Sequence, residues 1–255
     1  MEIGSGGTKP RPQGRPDSLQ GARSQPALRD RIGLFPQFFA TTAVPCPYVP
    51  GRSERKLIVE LTGRGAAPFY DDLSRAGFRR SHRFAYRPAC RHCTACVPVR
   101  IAVEQFADSR STRRVRNLNR GLTARLVAGR ATPEQFRLFA AYQHSRHRDS
   151  DMAGMTYADY RSMVEDSAVR TAIAEFRHAD GELAAVALFD RLDDGFSAVY
   201  TFYDPSRGKQ SPAPGASCGW SRNAAARVCR LFISATGSPR ARRWPTRRVF
   251  RRLNA

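Results

Sequence analysis

The sequence predicts a mixed α/β (α+β) chain, with a small cysteine-bearing N-terminal domain followed by a larger second domain. Three observations predict it. Between residues 33 and 105, short strand signals and one helix signal surround a run of three cysteines. Across residues 106–206, helix signals are followed by two apolar strands joined by a turn. Outside these limits the patterning stops, at residues 1–32 on one side and 207–255 on the other.

Residues 1–32 are Gly, Pro, Ser, Arg and Gln with almost no large apolar side chains, the composition of a disordered leader. Lys56-Leu57-Ile58-Val59-Glu60-Leu61 reads as a strand. Tyr70, Leu73 and Ala76 have helical spacing, and Gly77 follows as a stop. Residues 84–86 and 97–103 read as short strands, with Cys90, Cys93 and Cys96 in the turn between them. In residues 109–120, Arg110, Arg113, Arg114, Arg116 and Arg120 recur at spacings that gather several on one helical face. A strand over 122–127 follows. Thr132-Pro133-Glu134 then opens a helix with an N-cap, a proline in the first turn and an acid beside it. Residues 157–165 form another helix. Residues 183–189 are nearly all apolar, as in a central strand. Asp193-Asp194-Gly195 signals a hairpin turn into a strand over 196–203.

Helices followed by an antiparallel strand pair suggest an acetyltransferase-like domain, which should continue with a helix, a strand and a further helix. From Arg207 that continuation is not legible. Ser211-Pro212-Ala213-Pro214-Gly215 breaks structure, and residues 240–252 are an arginine-rich string without acids. The domain is therefore expected to lack its last elements.

Hydrophobic residues make up 41% of the 255, enough to bury a core, and no apolar run approaches the roughly 20 residues of a membrane span. The absence of an apolar stretch before Gly33 argues against a secretory signal, so a cytoplasmic protein with no membrane partner is expected. The net charge is +21, but it is uneven: +3 over residues 1–32, +6 over 33–204 and +12 over 205–255. The body is only mildly basic, which suits an enzyme that meets RNA without requiring one.

Cys46-Pro47-Tyr48-Val49-Pro50-Gly51-Arg52 with Glu54-Arg55, and Tyr86-Arg87-Pro88-Ala89-Cys90 with Cys93 and Ala95-Cys96-Val97-Pro98-Val99-Arg100, form a specific pattern. Leu73-Ser74-Arg75-Ala76-Gly77-Phe78-Arg79-Arg80-Ser81-His82, Ser109-Arg110-Ser111, Met163-Val164-Glu165-Asp166-Ser167 and Tyr203-Asp204-Pro205 support it. Over residues 34–206 the chain resembles the bacterial leucyltransferases of the N-degron pathway, relatives of the arginyl-tRNA–protein transferases. The resemblance implies an acetyltransferase-like fold and transfer of leucine from leucyl-tRNA to proteins beginning with Asp or Glu, which marks them for degradation. Arginine as the transferred residue is the alternative within that family. A basic RNA-binding protein and an inactive enzyme are the alternatives outside it.

Several residues are candidates for this chemistry, each with a plainer structural reading. Arg79, Arg80 and Arg87 have the forked geometry that matches the acidic first side chain of an acceptor, and Tyr86 would shape the same pocket. Structural pairing with Asp71, Asp72 or Glu60 is the other role open to these arginines. Arg110, Arg113, Arg114 and Arg116 suit tRNA phosphates, or a solvated helix face. Asp190, Tyr203 and Asp204 lie at strand ends where an acceptor would sit, Tyr203 as a proton relay. Cys46, Cys90, Cys93 and Cys96 supply enough thiols for zinc or an iron–sulfur cluster, or are free thiols packed near a pocket. The transfer itself requires no cofactor, since aminolysis of an activated ester needs proximity and stabilisation of an oxyanion.

Past residue 206 the family pattern, approximately Gly-Leu-Pro, Tyr-Leu-Gly-Tyr-Trp and Lys-Met-Ala-Tyr-Lys, is absent. It reappears one nucleotide out of frame. The codon pairs from Phe232 to Gly237 permit Tyr-Leu-Gly-Tyr-Trp, those from Arg227 to Arg230 permit Gly-Leu-Pro, and Trp244 before Pro245 forces Ala, in register. A frameshift near residues 206–212 is the expectation, and Cys218 and Cys229 then have no role.

Overall fold

The apolar run Leu57-Ile58-Val59 between Lys56 and Glu60 builds a half-buried strand, and in the computed structural model this strand organises the N-terminal layer. The structure describes residues 36–102, 107, 109–206, 231–237 and 251–252; the expected leader at 1–32 lies outside them. The first layer comprises β1 (Phe38–Ala40), β4 (Lys56–Glu60), β6 (Phe84–Pro88) and β5 (Arg79–Ser81), antiparallel in that spatial order. A separate small hairpin joins β2 (Val44–Pro45) to β3 (Ser53–Glu54). Helix α1 (Ala66–Arg75) covers one face of the four-stranded sheet. Its Tyr70 and Leu73 pack with Val59, Leu61, Ala85 and Phe78, each large side chain contributing roughly 1.5–3 kcal/mol by burial. Gly77 ends the helix at φ +85°, where a Cβ would stand 2.7 Å from Pro98 Cγ.

The second layer is a seven-stranded sheet in the order β13-β7-β12-β11-β10-β9-β8. Its elements are β7 (Val97–Ala102), β8 (Thr123–Ala128), β9 (Thr171–Arg177), β10 (Leu183–Arg191), β11 (Gly195–Tyr203), β12 (Leu231–Gly237) and β13 (Arg251–Arg252). All pairings are antiparallel except β11 with β12. Helix α2 (Arg110–Leu118) is capped by Ser109, which accepts from the Thr112 amide. Helix α3 (Pro133–Arg146) opens with a capping box between Thr132 and Gln135, and α4 (Tyr157–Glu165) with one between Thr156 and Asp159. Phe139 of α3 and Tyr160, Met163 and Val164 of α4 pack on Ile173, Val186, Leu188 and Phe202 of the sheet. The opposite face presents Ala172, Ala174, Phe176, Ala185, Phe189, Phe196 and Tyr203 as a second cluster.

The mixed α/β architecture agrees with expectation, with several differences. The strand at Val97, read as part of the first domain, lies in the second sheet. Strand β9 gave no signal, because Thr-Ala-Ile-Ala-Glu-Phe-Arg mixes alanine and charge without a clean period of two. The stretch after residue 206, expected to add nothing to the domain, contributes β12 and β13. Leu231-Phe232-Ile233-Ser234-Ala235-Thr236 is apolar and β-branched enough to form a strand, and the surrounding arginines hide it in composition. The remainder of 207–255, including Cys218 and Cys229, lies outside the described residues.

Candidate active site

Strand β11 is nine residues long, yet β12 pairs with it only over residues 195–197. Beyond Ser197, that flank of β11 has no strand partner among the described residues. The last turn of α3 comes down on this end of β11. Tyr142 packs against the clusters on both faces of the sheet, so its ring reaches around the end of β11. There it meets the Tyr203 ring, centroids 4.9 Å apart, and the His147 ring at 5.5 Å. Beside it, the fully buried Gln143 donates from Nε2 to the Tyr200 hydroxyl at 2.7 Å. Its Oε1 is buried with no hydrogen-bond partner among the described residues.

Three phenols and an amide thus gather at this end of β11. Burial, and then the neighbouring Tyr200 and Tyr203 hydroxyls, push the Tyr142 phenol up to about 12. Burial also raises Tyr200, which the Gln143 hydrogen bond partly offsets. Phenols held above their usual range stay protonated at neutral pH, so they act as hydrogen-bond donors toward developing negative charge.

Of the residues singled out from sequence, Tyr203 lies in this group. Asp204 adjoins it, but its Oδ1 accepts from the Ser206 amide and hydroxyl at 2.9 and 2.7 Å and so holds a turn. Asp190 is fully buried on β10, gripped by Arg80. This corrects the reading of Arg80 as a substrate contact. Its Nε and Nη2 donate to Asp190 Oδ2 and Oδ1 at 2.7 and 2.8 Å, and Nη1 donates to the His82 carbonyl at 2.8 Å. The fork is spent inside the protein. Asp190, about 110 residues away along the chain, was not among the partners weighed for it.

Arg79 and Arg87 do not converge either. Arg79 stands in register with Tyr86 on one face of the N-terminal sheet, its guanidinium 5.9 Å from the Tyr86 ring. Arg87 points to the other face, 5.2 Å from the Phe78 ring, and donates to the Ala76 carbonyl. Sequence reasoning missed Tyr142, Gln143 and Tyr200. A faint signal existed in two tyrosines three residues apart at the end of an apolar strand, but nothing local announced the helix that meets them.

The four cysteines Cys46, Cys90, Cys93 and Cys96 are half-buried, and none of them is in a disulfide. Burial raises the Cys96 thiol most, and proximity to Cys46, Cys90 and Cys93 adds to the effect, which gathers all four in one place. His92, at φ +56°, shapes the turn between Cys90 and Cys93, its carbonyl accepting from Arg52 at 3.1 Å. The Arg55 amide donates to Cys90 Sγ at 3.4 Å. Among the described residues, no group of three His, Cys, Asp or Glu side chains is arranged to hold a metal ion.

On α2, Arg110, Arg113 and Arg114 are exposed and Arg116 is half-buried, with Arg120 exposed just beyond the helix. From Ser109 to Pro133 the chain carries seven arginines and no acid. No helix of the described residues is long and apolar enough to cross a membrane.

Comparison with known proteins places these features in a lineage. The family described as arginine-tRNA-protein transferase, N terminus, matches residues 44–114, and its C-terminal counterpart matches residues 134–216. An aspartate/glutamate leucyltransferase of Paramagnetospirillum magneticum is 57% identical over 177 residues, covering 69% of this chain and 72% of that protein. Proteins of the same name from Rhodospirillum rubrum and Granulibacter bethesdensis are 57% identical over 170 residues and 54% over 186. They cover 66% and 72% of this chain, and 69% and 70% of their own lengths. Among solved structures, L-PGS from Bacillus licheniformis aligns with a TM-score of 0.42 at 13% identity, over 71% of this chain and 54% of that one. That likeness is too weak to bear on function.

Proposed function

Because the chain belongs to the arginine-tRNA-protein transferase family, we propose that it moves leucine from leucyl-tRNA to the α-amino group of proteins beginning with Asp or Glu, at the end of β11 that carries Tyr200 and Tyr203. The observation that carries the site is the convergence of Tyr142, Tyr200 and Tyr203 there. The acceptor amine attacks the ester carbonyl carbon of the leucyl group. A tetrahedral oxyanion forms, and its collapse expels the 3′-terminal hydroxyl of the tRNA. The amine loses a proton and the leaving oxygen gains one. Neutral phenols donate to the oxyanion, and holding ester and amine together supplies much of the remaining acceleration. The arginines of α2 are suited to tRNA phosphates.

The reading frame of the tail belongs to the same proposal. β12 occupies the stretch in which the alternative frame permits Tyr-Leu-Gly-Tyr-Trp, and it pairs with β11 over residues 195–197. The test uses the purified chain, leucyl-tRNA, arginyl-tRNA, and peptides beginning with Asp, Glu or Ala. Leucine transfer to the Asp and Glu peptides alone is expected. Absent transfer that returns when residues after 206 are replaced by the alternative translation supports both family activity and frameshift. Absent transfer in both forms sinks the proposal.

A further inference from the structure

The face of the N-terminal sheet turned away from α1 is organised by register. Phe39 of β1 lies opposite Ile58 of β4, which lies opposite Tyr86 of β6, which lies opposite Arg79 of β5. The next row on that face is Glu60, Phe84 and Ser81, and the row on the other side begins with Lys56. The alternate residues Val59 and Ala85 face α1 and are buried. A purely solvated face would carry polar side chains at these outer positions. Instead Phe39 is 54% and Phe84 40% exposed, with half-buried Tyr86 beside them.

Cations are interleaved with these rings. Lys56 Nζ lies 5.7 Å and the Arg79 guanidinium 5.9 Å from the Tyr86 ring centre, and Arg83 adjoins Phe84. Lys56 pairs with Glu54 at 3.0 Å and Arg83 with Glu60 at 3.2 Å, partly exposed ion pairs of little strength that a phosphate can exchange. Phe84 and Tyr86 are two residues apart on one strand, roughly 7 Å, and Phe39 lies two strands from Tyr86, roughly 10 Å. Rings spaced along one open antiparallel sheet, with basic groups between them, match unpaired bases stacked singly while their phosphates meet the cations.

We propose that this face is a stacking platform for unpaired nucleotides of the tRNA substrate, with Phe39, Phe84 and Tyr86 as the rings and Lys56, Arg79 and Arg83 as phosphate contacts. The inference rests on the reading of the chain as a tRNA-dependent transferase, and adds a second contact distinct from the arginines of α2. Phosphate contacts alone hold paired and unpaired RNA alike, whereas stacking on open rings requires bases that are not already paired.

The test measures fluorescence anisotropy of the full chain with intact tRNA, a short unpaired oligoribonucleotide and a fully paired hairpin of the same composition. Salt is held at about 0.3 M to suppress binding by the basic tail. Phe39→Ala and Phe84→Ala should each weaken binding of the unpaired probe roughly tenfold, leave the hairpin unchanged and leave the melting temperature unchanged. Tyr86→Phe should retain binding, and Tyr86→Ala should lose it. Equal loss for both probes, or loss for neither, overturns the platform while leaving tRNA binding in place. Unchanged RNA affinity with a raised KM for an Asp-initiated peptide assigns the face to the acceptor protein and also overturns it. Failure of the unaltered chain to bind any of the three RNAs overturns both the platform and the tRNA-dependent reading.

Discussion

Arg80 and Asp190 form a two-point ion pair, at 2.7 and 2.8 Å, with both side chains sealed from solvent. It links β5, an edge strand of the N-terminal sheet, to β10, an interior strand of the second sheet. Thr171 closes the arrangement, donating to Asp190 Oδ1 at 2.9 Å and accepting from Arg80 Nη2 at 3.2 Å. A buried charge left without its partner is strongly destabilising. Arg80→Met should therefore lower stability by about 3–5 kcal/mol in denaturant unfolding. The double change Arg80→Met with Asp190→Leu should recover part of the loss. A single variant as stable as the original would show that the pair does not hold the layers together.

Tyr142 and Tyr203 give a kinetic prediction. If protonated phenols stabilise the oxyanion, Tyr142→Phe should reduce kcat about 10- to 100-fold, with KM for either substrate little changed. With its phenol pushed up to about 12, Tyr142 should remain protonated throughout the neutral range, so its loss should scale the pH–rate profile without moving its limbs. The measurement is steady-state leucine transfer by whichever form of the chain is active.

At Glu134, two hydrogen bonds from Arg177, at 2.9 and 2.7 Å, hold the carboxyl below its ordinary range. A carboxyl whose pKa is lower when folded stabilises the folded chain above its unfolded value, about 4.3, and that contribution disappears as pH falls through the folded value. Glu134→Gln should lower the melting temperature slightly at pH 7 and flatten its decline on acidification. The effect is small because the side chain is 42% exposed. Melting curves between about pH 3 and pH 7 would check it.

Arg110, Arg113 and Arg114 yield an electrostatic signature. Each Arg→Ala change should reduce the slope of log affinity for tRNA against log salt by about 0.7–0.9. An unaltered slope would return these side chains to the solvent.

Gly77 combines φ +85° with a Cβ position 2.7 Å from Pro98 Cγ. Gly77→Ala has to strain the backbone and displace Pro98, so a loss above about 1 kcal/mol is expected in equilibrium unfolding.

Much of this fold is written locally. The capping residues Thr132 and Pro133 marked the start of α3, and the helix expected over residues 157–165 matched α4. The turn at residues 193–195 correctly joined β10 to β11. What escaped were features fixed by partners distant in sequence. Ser53 and Glu54 pair in a two-residue strand too short to show a period. The Arg80 side chain looked like a surface fork until Asp190 came to meet it. The site was half legible for the same reason. Tyr203 stood out at a strand end, whereas Tyr142 and Gln143 acquire meaning only when α3 lies across β11.

The position of β7 has a consequence for synthesis. Val97–Ala102 is flanked by β12 on one side and β13 on the other. Ala102 lies opposite Leu231, roughly 130 residues later in the chain. At about 5–20 residues per second, the ribosome exposes this strand for roughly 7–25 seconds before its first partner is even made. Both of its edges are open during that interval, able to pair with any other nascent strand. Production of the folded chain should therefore depend on holdase chaperones more than its final stability alone would suggest.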